Sequence, residues 1–266
     1  MTTSQSHPSN PAPSSHATRA HSFNAAAAQY AANRPSYPPA LLDAVEEEAG
    51  RSLADARVVD VGAGTGIATA LLHARGADVV AVEPGEGMAA QFQATLPGVP
   101  VVRGNGNALP LADDTADFLT YAQAWHWTDP AHSVPEALRV LRPGGALALW
   151  WNTDARDIDW IVRQSDRMSR FFGEDVATVK RKPADRTDLA DPSGRLRFTR
   201  REVRWSRRVP LDTHLANIGS HSAFLVTPMD RRTAFLTEER THLLKTFPEG
   251  IVEETYDVLL LVALNT

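Results

Sequence analysis

The stretch Val58-Val59-Asp60-Val61-Gly62-Ala63-Gly64-Thr65-Gly66-Ile67 constrains this chain more than any other. β-Branched apolar residues run into an acid and then into glycines at alternate positions, and Ile67-Ala68-Thr69-Ala70-Leu71-Leu72 continues with helical character. The pattern predicts a strand, a tight turn and a helix. Glycines 62, 64 and 66 remove Cβ where the chain reverses, so a ligand can lie on the backbone with the helix N-terminus aimed at it. A nucleotide-like molecule is the expected guest.

Two acids narrow the choice of guest. The dinucleotide fingerprint G-x-G-x-x-G sets backbone amides against a pyrophosphate. Here position 67 is Ile, and Asp60 stands two residues before the first glycine. A carboxylate beside the loop suits a ligand bearing an ammonium group better than a diphosphate. S-adenosylmethionine (SAM) carries an ammonium, a ribose diol and an adenine, and no phosphate. Asp78-Val79-Val80-Ala81-Val82-Glu83-Pro84 reads as the next strand. In a doubly wound sheet its end lies beside the first, where Glu83 is expected to accept hydrogen bonds from both ribose hydroxyls.

Asp60 to Gly66, the acid Glu83, Gly104 to Pro110, and Leu141-Arg142-Pro143-Gly144-Gly145 before an apolar strand together resemble the class I SAM-dependent methyltransferases, of the type 11 kind, over about Val58 to Trp151. Tyr30-Ala31-Ala32-Asn33-Arg34-Pro35-Ser36-Tyr37-Pro38 and the pair His126-Trp127 are similar to a small-molecule branch that includes the trans-aconitate methyltransferase-like proteins. The resemblance implies an α/β fold: a Rossmann-like, doubly wound, seven-stranded sheet, mostly parallel with an antiparallel C-terminal strand, helices on both faces and a cap after the fifth strand. It also implies a cofactor set of Tyr30, Arg34, Asp60, Gly62, Ala63, Gly64, Glu83, Pro84, Met88, Asn105, Gly106, Asn107 and Gln123.

Within that set Arg34 is the candidate for the cofactor carboxylate, since a guanidinium pairs with it bidentately. The alternative is that Arg34 and the tyrosines only pack between helices. Asn105 and Asn107 stand where the family has an acid and a glutamate, and an amide oxygen can still accept from the adenine amino group. Met88 is expected to pack on the adenine or to be plain core. On the acceptor side the candidates are Tyr37, Trp125, Trp127, Trp151, Asn152, Ser220 and His221. His126, between two tryptophans at the end of the fourth strand, is the candidate general base. Its alternative role is to orient the loop or cap the helix starting near Pro130.

Composition bounds the rest. With 266 residues, 43% hydrophobic, the chain can bury a full core, and its net charge of −5 gives no general pull toward nucleic acid. Cysteine is absent, which excludes disulfides and thiolate chemistry. No apolar run reaches the roughly 18 to 20 residues that span a bilayer, and no apolar signal core opens the chain, so a cytoplasmic protein without membrane or nucleic-acid partners is expected. No metal-ligand spacing is present. Lys180 to Arg208 holds eleven basic residues against four acids, either a solvated face or an attractor for an anionic substrate.

The expected organisation is a disordered tail over 1–21, lid helices over 22–50, a SAM-binding core over 51–152, a cap with the sixth strand over 153–228, and a helix and last strand over 229–266. Amphipathic Ile158 to Phe172 is a candidate cap over the acceptor pocket. The expected chemistry is methyl transfer from SAM, with S-adenosylhomocysteine as product, to a small molecule, O-methylation of a carboxylate or hydroxyl being favoured over N or C. An NAD-dependent oxidoreductase and a non-catalytic SAM-binding module are the alternatives.

Overall fold

A computed structural model describes residues 27–173 and 190–266. The expected tail, the start of the first helix at Phe23, and Lys180 with its neighbours up to 189 lie outside them. In chain order the elements are α1 (Ala27–Asn33), α2 (Pro39–Ala49), β1 (Arg57–Val61), α3 (Ile67–Ala74), β2 (Asp78–Glu83), α4 (Glu86–Thr95), β3 (Val101–Arg103) and β4 (Ala116–Ala122). A 3₁₀ turn (Trp125–Trp127) leads to α5 (Pro130–Val140), β5 (Leu141–Asp154), α6 (Asp159–Phe172), β6 (Thr199–Pro210), α7 (Leu211–Gly219), α8 (Ser222–Leu225), α9 (Met229–Thr246) and β7 (Ile251–Leu264).

The seven strands form one sheet in the order β3-β2-β1-β4-β5-β7-β6. β1 to β5 pair in parallel, whereas β7 runs antiparallel to both β5 and β6. The chain winds outward from β1 through β2 to β3, then crosses back to β4. The point of reversal therefore lies between β1 and β4, where open α/β sheets gather ligands outside the strands' carboxyl ends.

Central strands covered on both faces need apolar side chains at odd and even positions alike. One face of the sheet carries Val58, Phe118, Ala148, Trp150 and Leu260 beneath Leu41, Leu42 and Val45 of α2 and Leu72 of α3. The other carries Val59, Leu119, Leu147, Leu149 and Leu261 against Val134, Ala137 and Val140 of α5. α2 is thus a layer of the core, whereas α1 brings Tyr30 to the glycine loop. A separate apolar cluster joins α6, α7, α8 and α9 through Trp160, Phe171, Phe224, Phe235 and Leu243. The aromatic stripe of α6 is spent on that cluster and is not a wall of the acceptor pocket. α9, grouped by sequence with the last strand, packs there too.

The Gly144-Gly145 turn lies inside β5 and not before it: Ala116 pairs with Leu141, but Phe118 already pairs with Ala146. The intervening residues bulge out, with Gly144 at φ +74°. Four arginines in the described part of the basic run pair with acids of the same chain. Arg200 pairs with Glu202, Arg201 with Glu47 and Glu48, Arg204 with Asp157 and Asp257, and Arg207 with Glu254.

Candidate active site

The carboxyl ends of β1, β2 and β4 open on a cleft of about 500 Å³. Its floor is the turn after β1. Gly62 donates its N–H to the Val82 carbonyl at 2.8 Å and adopts φ +67°, and a Cβ there would meet the Ala124 Cβ at 2.6 Å. Gly64, at φ +59°, faces open space. Both line the cleft, as do Glu83, Pro84, Met88, Asn105 and Gly106 on the β2–β3 side.

Glu83 fixes the loop from the side. Its Oε2 accepts the Gly64 N–H at 2.8 Å and its Oε1 the Gly85 N–H at 2.6 Å. Burial raises its pKa, against the lowering by the Gly85 and Gly64 amides and the Arg103 charge. Each oxygen keeps a lone pair for a further donor. Opposite, Tyr30 and Arg34 at the end of α1 overhang the loop, with the guanidinium 4.8 Å from the Tyr30 ring centroid. Arg34 Nη2 donates to the Ser220 carbonyl at 3.2 Å, while its buried Nε has no protein partner. Gln123 leaves β4 with φ +57°, a left-handed conformation that is costly for a side chain of this kind, and lines the same cleft.

His126, Trp127, Asn152, His221 and Ser222 line the same cleft, as does Thr128, beside Gly106. His126 Nδ1 accepts the Trp151 indole N–H at 3.3 Å. Asn152 is oriented by donating to the Ser36 carbonyl and accepting from Trp205. Burial and the Arg34 guanidinium hold His221 well below the usual histidine pKa.

Seven expected site residues are placed elsewhere. Asp60 is fully buried beneath the loop, where its oxygens accept the Thr69 hydroxyl at 2.6 Å and the Thr120 hydroxyl at 2.9 Å. A carboxylate on the sheet's mid-plane needs donors, and the two threonines supply them in place of a ligand ammonium. Asn107 turns away from the cleft, its Oδ1 accepting the Asp129 N–H at 2.9 Å. Trp125 is core, edge-on to Tyr121 and donating to the Ala190 carbonyl. Trp151, 4% exposed, points into the β5–α5 layer and does not line the cleft, although its indole N–H donates to His126, which does. Tyr37 stands edge-on to Trp150 in the core and borders only a cavity of about 40 Å³ under the loop, which it shares with Ala63. The Ser220 hydroxyl is turned back to the Asn217 carbonyl at 2.6 Å.

Conversely, Gly85, Thr128 and Tyr121 line the cleft unforeseen. The Tyr121 hydroxyl is buried without a protein partner. Nothing in the sequence marked it, because a tyrosine in an apolar strand reads as core.

Residues 59–149 match the type 11 methyltransferase domain. The chain is 38% identical over 227 residues to an uncharacterized methyltransferase of Mycobacterium tuberculosis, spanning 85% of this chain and 87% of that protein. The chain is a class I SAM-dependent methyltransferase. The methyltransferase also matches a structure from Anaeromyxobacter dehalogenans described as a type II methyltransferase, at a TM-score of 0.63 and 26% identity over 87% of this chain and 98% of that one. A shorter match joins it to the malonyl-[acyl-carrier protein] O-methyltransferase of Methylococcus capsulatus, 39% identical over 99 residues, 35% of this chain and 36% of that enzyme.

SAM is the methyl donor of this family, and the methyltransferase's cleft suits it. A carboxylate stands at one end, two buried polar atoms, Arg34 Nε and the Tyr121 hydroxyl, await partners, and Gly64 leaves the backbone bare between them. The alternative of an NAD-dependent oxidoreductase is set aside by the family match.

Proposed function

We propose that this methyltransferase transfers the SAM methyl group to an oxygen of a small-molecule acceptor. The observation that carries the reading is the single cleft that runs from Glu83 to the His126–Asn152 end. It gives one ligand a carboxylate for its ribose and gives a second ligand a pocket of aromatic and donor groups.

In this assignment Glu83 holds the ribose hydroxyls, and Pro84, Met88, Asn105, Gly106 and Tyr121 hold the adenine. Gly62, Gly64, Gln123, Tyr30 and Arg34 hold the methionine portion, the Arg34 guanidinium taking its carboxylate. When bound, SAM supplies an electrophilic sulfonium methyl. The protein's own work is positional: to align the acceptor and exclude water, effects that together supply on the order of 7 to 11 kcal/mol in favourable cases. Trp127, Asn152, His221 and His126 line the acceptor end. The O-methyltransferase relative and the resemblance of Tyr30 to Pro38 and His126-Trp127 to the trans-aconitate branch support oxygen as the acceptor atom. Among the described residues Glu83 is the one acid lining the cleft, so a cationic amine finds no counter-ion at the far end.

Calorimetric titration with SAM tests the assignment. Wild-type protein is expected to bind SAM, Glu83→Gln to bind it about tenfold or more weakly, since a charged acceptor is lost to two hydroxyl donors. Equal binding by both would remove Glu83 from the site. No binding by folded wild-type protein would remove the site itself.

A further inference from the structure

The pair Trp151–His126 carries more than a packing contact. An indole N–H only donates, so the His126 Nδ1 that receives it at 3.3 Å holds a lone pair and no proton. In the neutral ring the proton then sits on Nε2. The one lone pair through which His126 could take up a proton is already covered by the Trp151 N–H, and a proton added there would face another N–H. The indole cannot easily turn aside. It is 4% exposed, in the register of β5 opposite Leu259, and packed in the apolar layer under α5. His126 itself sits in the 3₁₀ turn, its ring 4.8 Å from that of Trp127.

We infer that Trp151 is a positioning residue that makes His126 a hydrogen-bond donor to the acceptor and not its general base, so that the acceptor is an oxygen already anionic at neutral pH, a carboxylate. This rests on the proposed methyl transfer in the same cleft. The chemistry balances without a base. A carboxylate oxygen contributes its lone pair to the new O–CH₃ bond, the C–S bond breaks with its pair returning to sulfur, and no proton moves. A hydroxyl or ammonium acceptor would have a proton to lose, and His126 in this tautomer has nowhere to put it. The surroundings agree: Asn152 and Ser222 bring donor groups to the cleft, and Glu83, the one acid lining it among the described residues, is bound to two amides.

The test uses the full chain with ¹⁵N-labelled histidine, read by long-range ¹H–¹⁵N correlation with and without S-adenosylhomocysteine, and with phenylacetate, phenylacetamide and phenethylamine as acceptor probes. In wild type His126 is expected as a single Nε2–H tautomer. Phenylacetate should shift its Nε2–H and bind the S-adenosylhomocysteine complex about tenfold more tightly than either the neutral or the cationic probe, the ratio of a hydrogen bond to a charged group. Trp151→Phe should give a mixture of both tautomers and bring that preference below about threefold. A wild-type Nδ1–H tautomer, an unchanged tautomer in Trp151→Phe, or a preference for phenethylamine would overturn the inference. Should Trp151→Phe fail to fold, His126→Leu provides the same check, because the Trp151 indole proton must lose its hydrogen-bonded shift; an unmoved indole signal overturns the pairing. Failure of S-adenosylhomocysteine to bind would strike the cleft assignment instead, and the tautomer would still be read in the unliganded protein.

Discussion

Tyr121 is a residue whose value depends on whether the cleft is filled. Its hydroxyl is buried beside Gly106 with no partner, a cost of about 1 to 3 kcal/mol that a ligand atom would relieve. Tyr121→Phe is therefore expected to leave the ligand-free protein as stable as wild type or up to about 1 kcal/mol more so, yet to weaken SAM binding several-fold; chemical denaturation and calorimetry read the two effects separately. Asp60 shows a related tension. Burial raises its pKa to about 6, against the Thr69 and Thr120 hydroxyls that lower it and with the Glu83 charge adding to the rise. Its unfolded value is near 3.8. The folded state thus holds the extra proton between those values, and stability falls as pH rises from about 4 to 6, the loss complete above it. Two units correspond to about 3 kcal/mol. Asp60→Asn, which keeps a partner for each threonine, should flatten that slope. It should equal wild type near pH 4 and exceed it by up to about 3 kcal/mol at pH 7.5 in urea titrations; parallel curves would show that Asp60 titrates normally. The sequence revealed an acid before the glycines, but the side on which it lies depends on strand alternation relative to two threonines nine and sixty residues away, and these carried no signal.

At the scale of elements, α1 is held from behind by the sheet's antiparallel end. Arg207 on β6 donates to the Asn33 carbonyl at 2.9 Å and the Arg34 carbonyl at 3.4 Å, and pairs with Glu254 on β7 at 2.5 Å. Glu254 is 2% exposed and also meets His214 on α7. Burial alone would raise its pKa; the His214 hydrogen bond and the Arg207 charge outweigh that and hold it at about 2. Removing Arg207 would leave a buried carboxylate short of its cation and free the end of the helix that carries Arg34. Arg207→Met should cost about 3 to 5 kcal/mol, and Glu254→Gln in the same chain should restore much of it, since the uncompensated charge is then gone. SAM affinity should stay low in the double variant, because the α1 carbonyls still lack their donor. Recovery of full affinity would show that Arg207 acts only through Glu254. None of this was legible from sequence. The strands, the glycine turn and the order of helices follow from local periodicity, which survives in one dimension; the anchoring of α1 is an ion pair and two carbonyl contacts spanning more than half the chain.

For the whole molecule, the two faces of the sheet and the cap are three apolar clusters, and the cleft lies where they meet. The first two are fixed by the same strands that carry the glycine turn and Glu83. The third holds α8, and with it His221 and Ser222 at the acceptor end. This division explains why the acceptor half of the site was only half readable: the cofactor half is built largely from a contiguous motif on the sheet, whereas the acceptor half draws His126, Trp127, Asn152 and His221 from segments far apart in the chain. It also makes the two halves separable in energy. Phe224, fully buried, lies against Phe171, Phe172 and Phe235 and anchors α8 alone. Phe224→Ala opens a cavity in the cap worth about 3 to 5 kcal/mol. If the clusters open independently, as regions of unequal local stability do, hydrogen exchange should quicken over 211–246 while β1, β4 and β5 keep wild-type protection, and SAM binding should change less than about twofold. Uniform loss of protection across the sheet would instead show that cap and core unfold as one, and that acceptor choice in this methyltransferase cannot be altered without a toll on the cofactor site.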